Sequence, residues 1–526
     1  MISIDAGDRK SWQRRHGAAR QVLACWLGLL ASAGAFALNP DWQASQFLHE
    51  TYTREDGLPT DVVWSITQTR QGYLWLGTQN GLVRFDGVKF TTFNAQNTPA
   101  FSSSDVRTVA ETPAGTLWVG TYGGGALHLA GGKFTAFTSS DGLADDIVYD
   151  IFLASDGAIW FATAGGVSRL HGDAIESWTE VDGLVANRVF RIAEADNGDI
   201  WLATLTGGLS RFDGETFTNY TPEDGLDSVQ MHMLFADKSG LLAGSYTGGL
   251  YRLGADGKPA ALPRGDLPDD LPMQSALRDG DGNLWLGSYG RGLWRWQIGG
   301  TARVFTLGEA NPTHLFDLFE DREGNVWAAT MNGLHRLSEG AFRAWGEPEG
   351  LANSTFVVAE QDGRILAGTE GRGLYRLSDN GAISRTTAED GLSSDAVSAL
   401  MVDDENRIWA GTFGGGVNVI GDEVIRHIGT EDGLSSDHVF AIHQHSDGTI
   451  WIAAEGGINR LAAGDIEVLT AGDGLPESLA RHIMEDASGR LWFSTRDGVV
   501  RYDAGQVRTW DRTDGLAGGL VSTTWQ

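Results

Sequence analysis

Apolar and polar positions alternate over short runs, separated by glycine-containing turns, along nearly the whole chain after residue 50. In one stretch Val62, Trp64 and Ile66 alternate with other residues, Gln71-Gly72 turns the chain, and Tyr73 to Gly77 follows. Asn80-Gly81 turns it again, Leu82 to Phe85 forms a third run, and Asp86-Gly87 leads into Val88 to Phe93. Period-two alternation punctuated by Asn-Gly and Asp-Gly predicts four short antiparallel strands in a meander. A helical solenoid is excluded, because no stretch of twelve residues carries apolar positions at helical spacing.

The pattern repeats. Leu74-Trp75-Leu76-Gly77-Thr78 recurs with Trp at 75, 118, 160, 201, 285, 327, 409, 451 and 492, and Leu242 and Leu366 hold the same place in two further copies. Eleven units therefore follow one another at an average spacing of about 41.7 residues. Asp-Gly-Leu gives a second, independent landmark, beginning at 56, 141, 182, 224, 390, 432, 473 and 514, with Glu349-Gly350-Leu351 as a variant. Four-stranded units at this period are propeller blades. One large apolar residue per blade at a fixed strand position fills the layer between blades, so the repeated Trp is structural.

Glycine, 72 of 526 residues, is about twice as frequent as usual, yet it is spread among apolar residues. That excludes collagen-like and disordered chains and leaves a turn-rich folded one. The net charge of -30 repels phosphate backbones and anionic lipid, which argues against nucleic acid as a partner. Arg9, Lys10, Arg14, Arg15 and Arg20 precede an apolar run from Val22 to Ala37 that ends Ala35-Phe36-Ala37. This reads as a secretory signal peptide over residues 1–37 and predicts a periplasmic protein. The single cysteine, Cys25, leaves with that leader, so packing alone must hold the mature chain.

Asp-Gly-Leu-Pro-x-x-x-Val, then Gly-x-Leu-Trp-x-Gly-Thr, then Gly-Leu-x-Arg-Phe resembles the two-component regulator propeller repeat. Residues 55–87 carry it almost whole, and weaker copies cover nearly all of 47–526. The resemblance implies an exported sensor propeller, commonly two rings of seven blades, joined through a membrane helix to a histidine kinase or diguanylate cyclase. Neither a second membrane span nor an output domain is recognisable here, so kinase or cyclase activity is not expected of this chain. The expected fold is all-β, with eleven blades and a partial twelfth at Asp514-Gly515-Leu516. Seven blades would form a first ring over 38–346, and an incomplete second ring would occupy 347–526. Trp327 and Leu366 stand only 39 residues apart, which places that boundary near Gly346 to Gly350. Residues 46–54 resemble the fourth strand of a blade and are expected to complete the last blade of a ring.

In a meander the Asp-Gly-Leu loops and the loops after Gly-Thr share one face. Four residues after each Trp, or the Leu that replaces it, the sequence varies freely and includes Tyr122, Tyr246, Tyr289 and Phe413, aromatics suited to stacking on sugar or aromatic rings. The loop ends in Gly in all eleven units; the residue before it is Gly, Asn or Asp in nine, as expected where φ is positive, and Arg291 or Arg372 in two. These two arginines are candidates for holding a carboxylate. The six residues form the expected ligand-binding set, for a small-molecule, carbohydrate or peptide ligand. No cofactor is expected. His443 and His445 share a strand face without a third ligand, Asp279 to Asn283 lacks the closing Glu of a calcium loop, and neither HExxH nor GxSxG occurs. The expected function is a non-catalytic ligand-binding sensor, the input part of a two-component or cyclic-di-GMP pathway. A membrane-bound histidine kinase or diguanylate cyclase would be its partner, and dimerisation is open to it. A propeller glycoside hydrolase or polysaccharide lyase and a protein-interaction scaffold are the alternatives.

Overall fold

The computed structural model describes residues 38, 44–254, 258–280, 282–307, 314–340, 344–351, 354–378, 382–421, 425–475, 480–516 and 521. Residues 1–37, expected to be a signal peptide, lie outside them. Among the described residues no helix is long and apolar enough to cross a membrane. Among the described residues eleven four-stranded antiparallel sheets follow one another, a β-propeller architecture. The blades span residues 63–93, 106–137, 148–178, 189–220, 231–261, 273–305 and 315–338 (blades 1–7), then 355–386, 397–428, 439–469 and 480–510 (blades 8–11). They fall into two compact units, Met1–Arg343 and Ala344–Gln526.

In the first unit the first strand of each blade packs on the first strand of the next, and that of blade 7 packs on that of blade 1, so the contacts close into a cycle. The closing strand is Leu48–Tyr52, which pairs antiparallel with Gly333–Ser338 as the fourth strand of blade 7. Tyr52 of this strand stacks on Trp327 with ring centroids 5.9 Å apart. In the second unit the packing runs from blade 8 through blade 11, with no comparable packing of blade 11 on blade 8.

Each letter of the repeat has a mechanical reason. The Trp of one blade lies against the Asp-Gly-Leu leucine and the first two strands of the following blade, as Trp118 does against Leu143, Val148, Ile151 and Phe161. Its indole N–H finds an acceptor six residues upstream where that residue is Asp: Trp285, Trp327, Trp409 and Trp492 donate to Asp279, Asp321, Asp403 and Asp486 at 2.6–2.8 Å. Asp279 also accepts from Asn283, so its carboxylate is spent on this turn.

The aspartate of Asp-Gly-Leu caps a short 3-10 turn. Asp56 accepts from the Thr53 N–H and hydroxyl at 2.8 and 3.1 Å, Gly57 turns the chain at φ 106, and Leu58 is buried between blades.

The glycine that ends the loop after Gly-Thr is set by close approach. A Cβ at Gly125 would collide with the carbonyl oxygen of Phe137, at the end of the fourth strand, and φ there is +72. In nine of the eleven loops the left-handed residue is this glycine itself; in the loop ending at Gly249 it is the preceding Gly248. Arg291 and Arg372 do not have positive φ, contrary to the strain expected of them; Gly290 and Gly292, and Gly373, take it instead.

Removing a Trp that sits between two blades forfeits its transfer energy and leaves a cavity. Trp118→Ala should cost about 3–5 kcal/mol. Trp510→Ala, on the partly exposed last strand of blade 11, should cost far less. Urea denaturation of the two variants checks this, and equal losses would contradict the packing described.

Candidate functional site

The six expected residues sit on loops that follow a second strand. Tyr122, Tyr246, Tyr289 and Phe413 each donate their backbone N–H to a carbonyl just before a first strand: Asp105, Gln230, Pro272 and Ala396, at 2.8–3.1 Å. The loop after Gly-Thr is thus tied to the segment that follows Asp-Gly-Leu, on one face of each unit. Tyr246 and Tyr289 come together, with centroids 5.7 Å apart, and Tyr122 lies elsewhere on the mouth of the first unit, beside Tyr149. Arg372 and Phe413 belong to the second unit. Arg291 pairs with Asp270 of its own unit, so its guanidinium already holds a carboxylate.

A second set of residues completes the mouth, and a backbone irregularity puts it there. In each blade the pairing of first and second strands slips by one residue, for example between Val63 and Ser65 and between Val148 and Asp150. The slip is a β-bulge, and bulges re-aim the side chain they carry. The bulged residues of the first unit are Trp64, Arg107, Tyr149 and Phe190, then His232, Gln274 and Phe316. Each follows an apolar residue with no exposed surface, Val63 and Met231 among them, which fixes the strand against its neighbours.

The bulged and loop residues touch in sequence. Phe316 packs on Trp64 at 4.3 Å between centroids, and the Arg107 guanidinium lies 4.0 Å from the Trp64 ring and 4.8 Å from Tyr122. Tyr122 meets Tyr149, Tyr149 meets Phe190, Phe190 meets His232 and His232 meets Tyr246, at 5.1–6.4 Å. Tyr289 then stacks on His314 at 3.7 Å. Polar groups are interleaved: Arg107 pairs with Asp105 at 2.7 Å, Arg188 donates to the Tyr149 hydroxyl at 3.2 Å, and Gln274 bonds His232 at 2.9 Å. Burial lowers the His232 pKa to about 4 and also lowers that of His314, so both rings are neutral at pH 7, and His232 bonds Gln274 as a neutral imidazole. Trp64 Nε1 and His314 Nδ1 have no partner among the described residues.

One residue beyond the bulges of blades 3, 4 and 7 stand Asp150, Arg191 and Asp317. Arg191 reaches from blade 4 to donate to the Phe316 carbonyl of blade 7 at 3.3 Å, and lies 4.0 Å from Asp150. It spans the inside of the cycle of blades and forms a floor beneath the aromatic mouth. Both carboxylates also clamp neighbouring blades: Asp150 accepts from Ile192 N–H at 3.1 Å, and Asp317 from Ile66 N–H at 2.9 Å. Burial raises both pKa values, that of Asp317 to about 6, while Arg191 pulls each the other way.

The second unit repeats the motif with four bulges. Phe413 lies 6.0 Å from Phe356 and 5.8 Å from Phe440, and the Arg481 guanidinium is 5.0 Å from the Phe440 ring. His438 pairs with Glu455 at 2.7 Å. Among the described residues no group of three His, Cys, Asp or Glu side chains could hold a metal ion.

The family described as Two component regulator propeller matches residues 57–80, 100–123, 391–414 and 433–456, two copies in each unit. The protein is thus a β-propeller carrying two component regulator propeller repeats. Over 62 residues, 12% of this chain, it is 40% identical to histidine kinase P4 of Formosa agariphila, and that match spans 4% of the kinase. Among solved structures it is similar to BT4673 from B. thetaiotaomicron, described as the extracellular domain of a hybrid two component system, at 17% identity. That match covers 89% of this chain and 73% of the other, with a TM-score of 0.46. BT3049 from the same organism, described likewise, gives 22% identity, 90% and 80% coverage and a TM-score of 0.32. Virginiamycin B lyase from Staphylococcus aureus gives 14% identity, 56% and 98% coverage and a TM-score of 0.46.

The raised Asp317 pKa has a consequence for stability. Its folded value, about 6, lies above the ordinary 3.8, so the folded state binds the proton more tightly and this group's contribution falls as pH rises from about 4 to about 6. Arg191→Met removes the charge that favours the carboxylate and should raise the Asp317 pKa further. Carbon-13 NMR titration of the Asp317 carboxyl reads it, and an unchanged or lower value would contradict the floor described.

Proposed function

We propose that the protein is an exported sensor propeller that binds its ligand in the aromatic mouth of the first unit. The observation that carries this reading is the run of bulged and loop side chains from Phe316 and Trp64 through Tyr149 and His232 to Tyr289, with Arg191 beneath it. Flat aromatic faces interleaved with Arg, Gln and neutral His suit a ring-bearing polar ligand: a carbohydrate, a peptide with aromatic side chains, or an aromatic acid. The mouth is polar enough to fix orientation and apolar enough to gain from displaced water.

The repeats and the short stretch shared with a histidine kinase support a place at the input of a signalling pathway, with a membrane-bound histidine kinase or diguanylate cyclase as output partner. Export through the leader at 1–37 and a periplasmic location follow from the same reading. Of the six residues named from sequence, Tyr122, Tyr246 and Tyr289 belong to this mouth. Arg291 acts through its ion pair with Asp270, and Arg372 and Phe413 serve the second unit.

One feature favours a catalytic reading, glycoside hydrolysis or elimination: burial pushes the Asp317 carboxyl up to about 6, and the Asp150 carboxylate pushes it the same way. Against it, both carboxylates accept backbone N–H groups from the adjacent blade and both feel Arg191, which makes them clamps rather than a free acid and base.

A thermal-shift screen against sugars, peptides and aromatic acids should find a ligand, since one that binds the folded state raises the melting temperature. For the best hit, Tyr289→Ala and Tyr149→Ala should each weaken calorimetric affinity by roughly tenfold, the worth of a stacked ring. Phe413→Ala should leave it unchanged. Loss in Phe413→Ala alone would move the site to the second unit, and turnover of the hit would establish the catalytic reading.

A further inference from the structure

Three residues of each blade border the mouth of the first unit: the bulged residue, the loop residue four beyond the Trp position, and the residue whose carbonyl holds that loop in place. Over blades 1–7 these positions hold charge only at Asp105, Arg107 and Arg188, since His232 and His314 are neutral. Asp105 and Arg107 pair with each other at 2.7 Å. Arg188 is exposed, and what raises its pKa is the hydrogen bond to Tyr149 and the nearness of Tyr149 and Tyr122, with no carboxylate contributing. The acids of the neighbouring loops are turned to backbone N–H groups: Asp145 to Ile147, Asp146 to Ser139, Asp182 to Thr179 and Glu180 to Asn187. Arg191, on the floor, is taken up by Asp150 and the Phe316 carbonyl. In a chain of net charge -30, the border of the mouth is thus left with one unbalanced charge, and it is positive.

The surroundings of Arg188 are those of a seat for an anion. Its Nη2 donates to the Tyr149 hydroxyl at 3.2 Å. A hydroxyl that accepts from a guanidinium must turn its own hydrogen elsewhere, so the Tyr149 O–H and the remaining guanidinium N–H groups stand side by side as donors. Tyr149 lies between two further rings, Tyr122 at 6.4 Å and Phe190 at 5.7 Å. The loop position carries Ala164 in blade 3 and Leu205 in blade 4, smaller than the tyrosines of blades 2, 5 and 6, which leaves room beside Arg188. Adjacent donors, one of them cationic, set among flat apolar faces match a group that only accepts hydrogen bonds and is carried on a ring.

We infer that the ligand of the mouth bears a carboxylate on a ring, as a sugar acid or an aromatic carboxylic acid does, and that Arg188 and the Tyr149 hydroxyl hold it while the ring lies against Phe190 or Tyr122. The inference rests on the reading of this mouth as the binding site. It gives to Arg188 the part that the sequence suggested for Arg291, whose guanidinium already has Asp270.

Two matched pairs of probes test it by calorimetric titration of the full chain: glucuronate against glucose, and phenylacetate against phenylacetamide. At least one acid should bind about tenfold more tightly than its neutral counterpart, the worth of a charge-assisted hydrogen bond, and which acid does so separates the sugar from the aromatic source. Arg188→Gln should bring that acid to the level of its counterpart while the melting temperature of the free protein stays close to wild type, because the side chain is exposed. Arg188→Lys should keep part of the preference, since it retains the charge and loses the fork. Equal affinities within both pairs, no binding of either acid at millimolar concentration, or a preference that survives Arg188→Gln would each overturn the inference. Failure of the mouth itself reads differently: acid binding would then persist unchanged in both Arg188→Gln and Tyr149→Ala, whereas a neutral ligand weakened by Tyr149→Ala without any acid preference would keep the mouth and remove the carboxylate.

Discussion

Every blade must have both of its faces covered, and the contact that does so is one large side chain set against a leucine and two strands of the next blade. Trp118 against Leu143 and Val148, or Trp451 against Leu475 and Ala480, is the same contact met again and again. From it follow the period of the sequence, the small Gly of Gly-Thr beside the next first strand, and the aspartate that accepts the indole N–H. In the first unit the requirement is met by a cycle, with Leu48–Tyr52 laid beside Gly333–Ser338. In the second it is met on the inner blades only.

The same constraint frees one position per blade for chemistry. In the first unit the first residue of each first strand is locked between blades, so the bulge that follows projects its side chain into the mouth. Those positions vary among Trp, Arg, Tyr, Phe, His and Gln while the scaffold around them does not. A fixed frame with variable projecting residues is how repeat architectures build binding sites. Arg191 then makes the mouth a cup by crossing from blade 4 to blade 7, held by carboxylates that also fasten adjacent blades.

Much of the frame was legible in the sequence because the Trp and Asp-Gly-Leu landmarks do one job repeatedly, and repetition is visible without coordinates. The closing strand could be read because Phe47 to Thr53 has the look of a fourth strand with no blade of its own. The proposed mouth is half legible in the sequence. Tyr246 and Tyr289 stand out by their place in the loop, but Tyr149, Phe190 and His232 sit inside strands, where alternation assigns them to a face. A bulge shifts that assignment and leaves no mark on composition. The one available signal was a freely varying residue directly after an apolar one that never varies in character. Arg191 was invisible, since its partners are about 40 and about 125 residues away in sequence. The strain expected at Arg291 and Arg372 falls instead on neighbouring glycines, and Arg291 pairs with Asp270.

The central claim is that the inner mouth of the first unit, rather than its outer loops or the second unit, receives the ligand. Hydrogen–deuterium exchange with the best ligand from the thermal screen tests it directly. The account predicts slowed exchange in the first-strand segments that carry Trp64, Tyr149, Phe190, His232 and Phe316, and little change in blades 8–11. Protection confined to blades 8–11, or to the outer strands of blades 1–7, would contradict it.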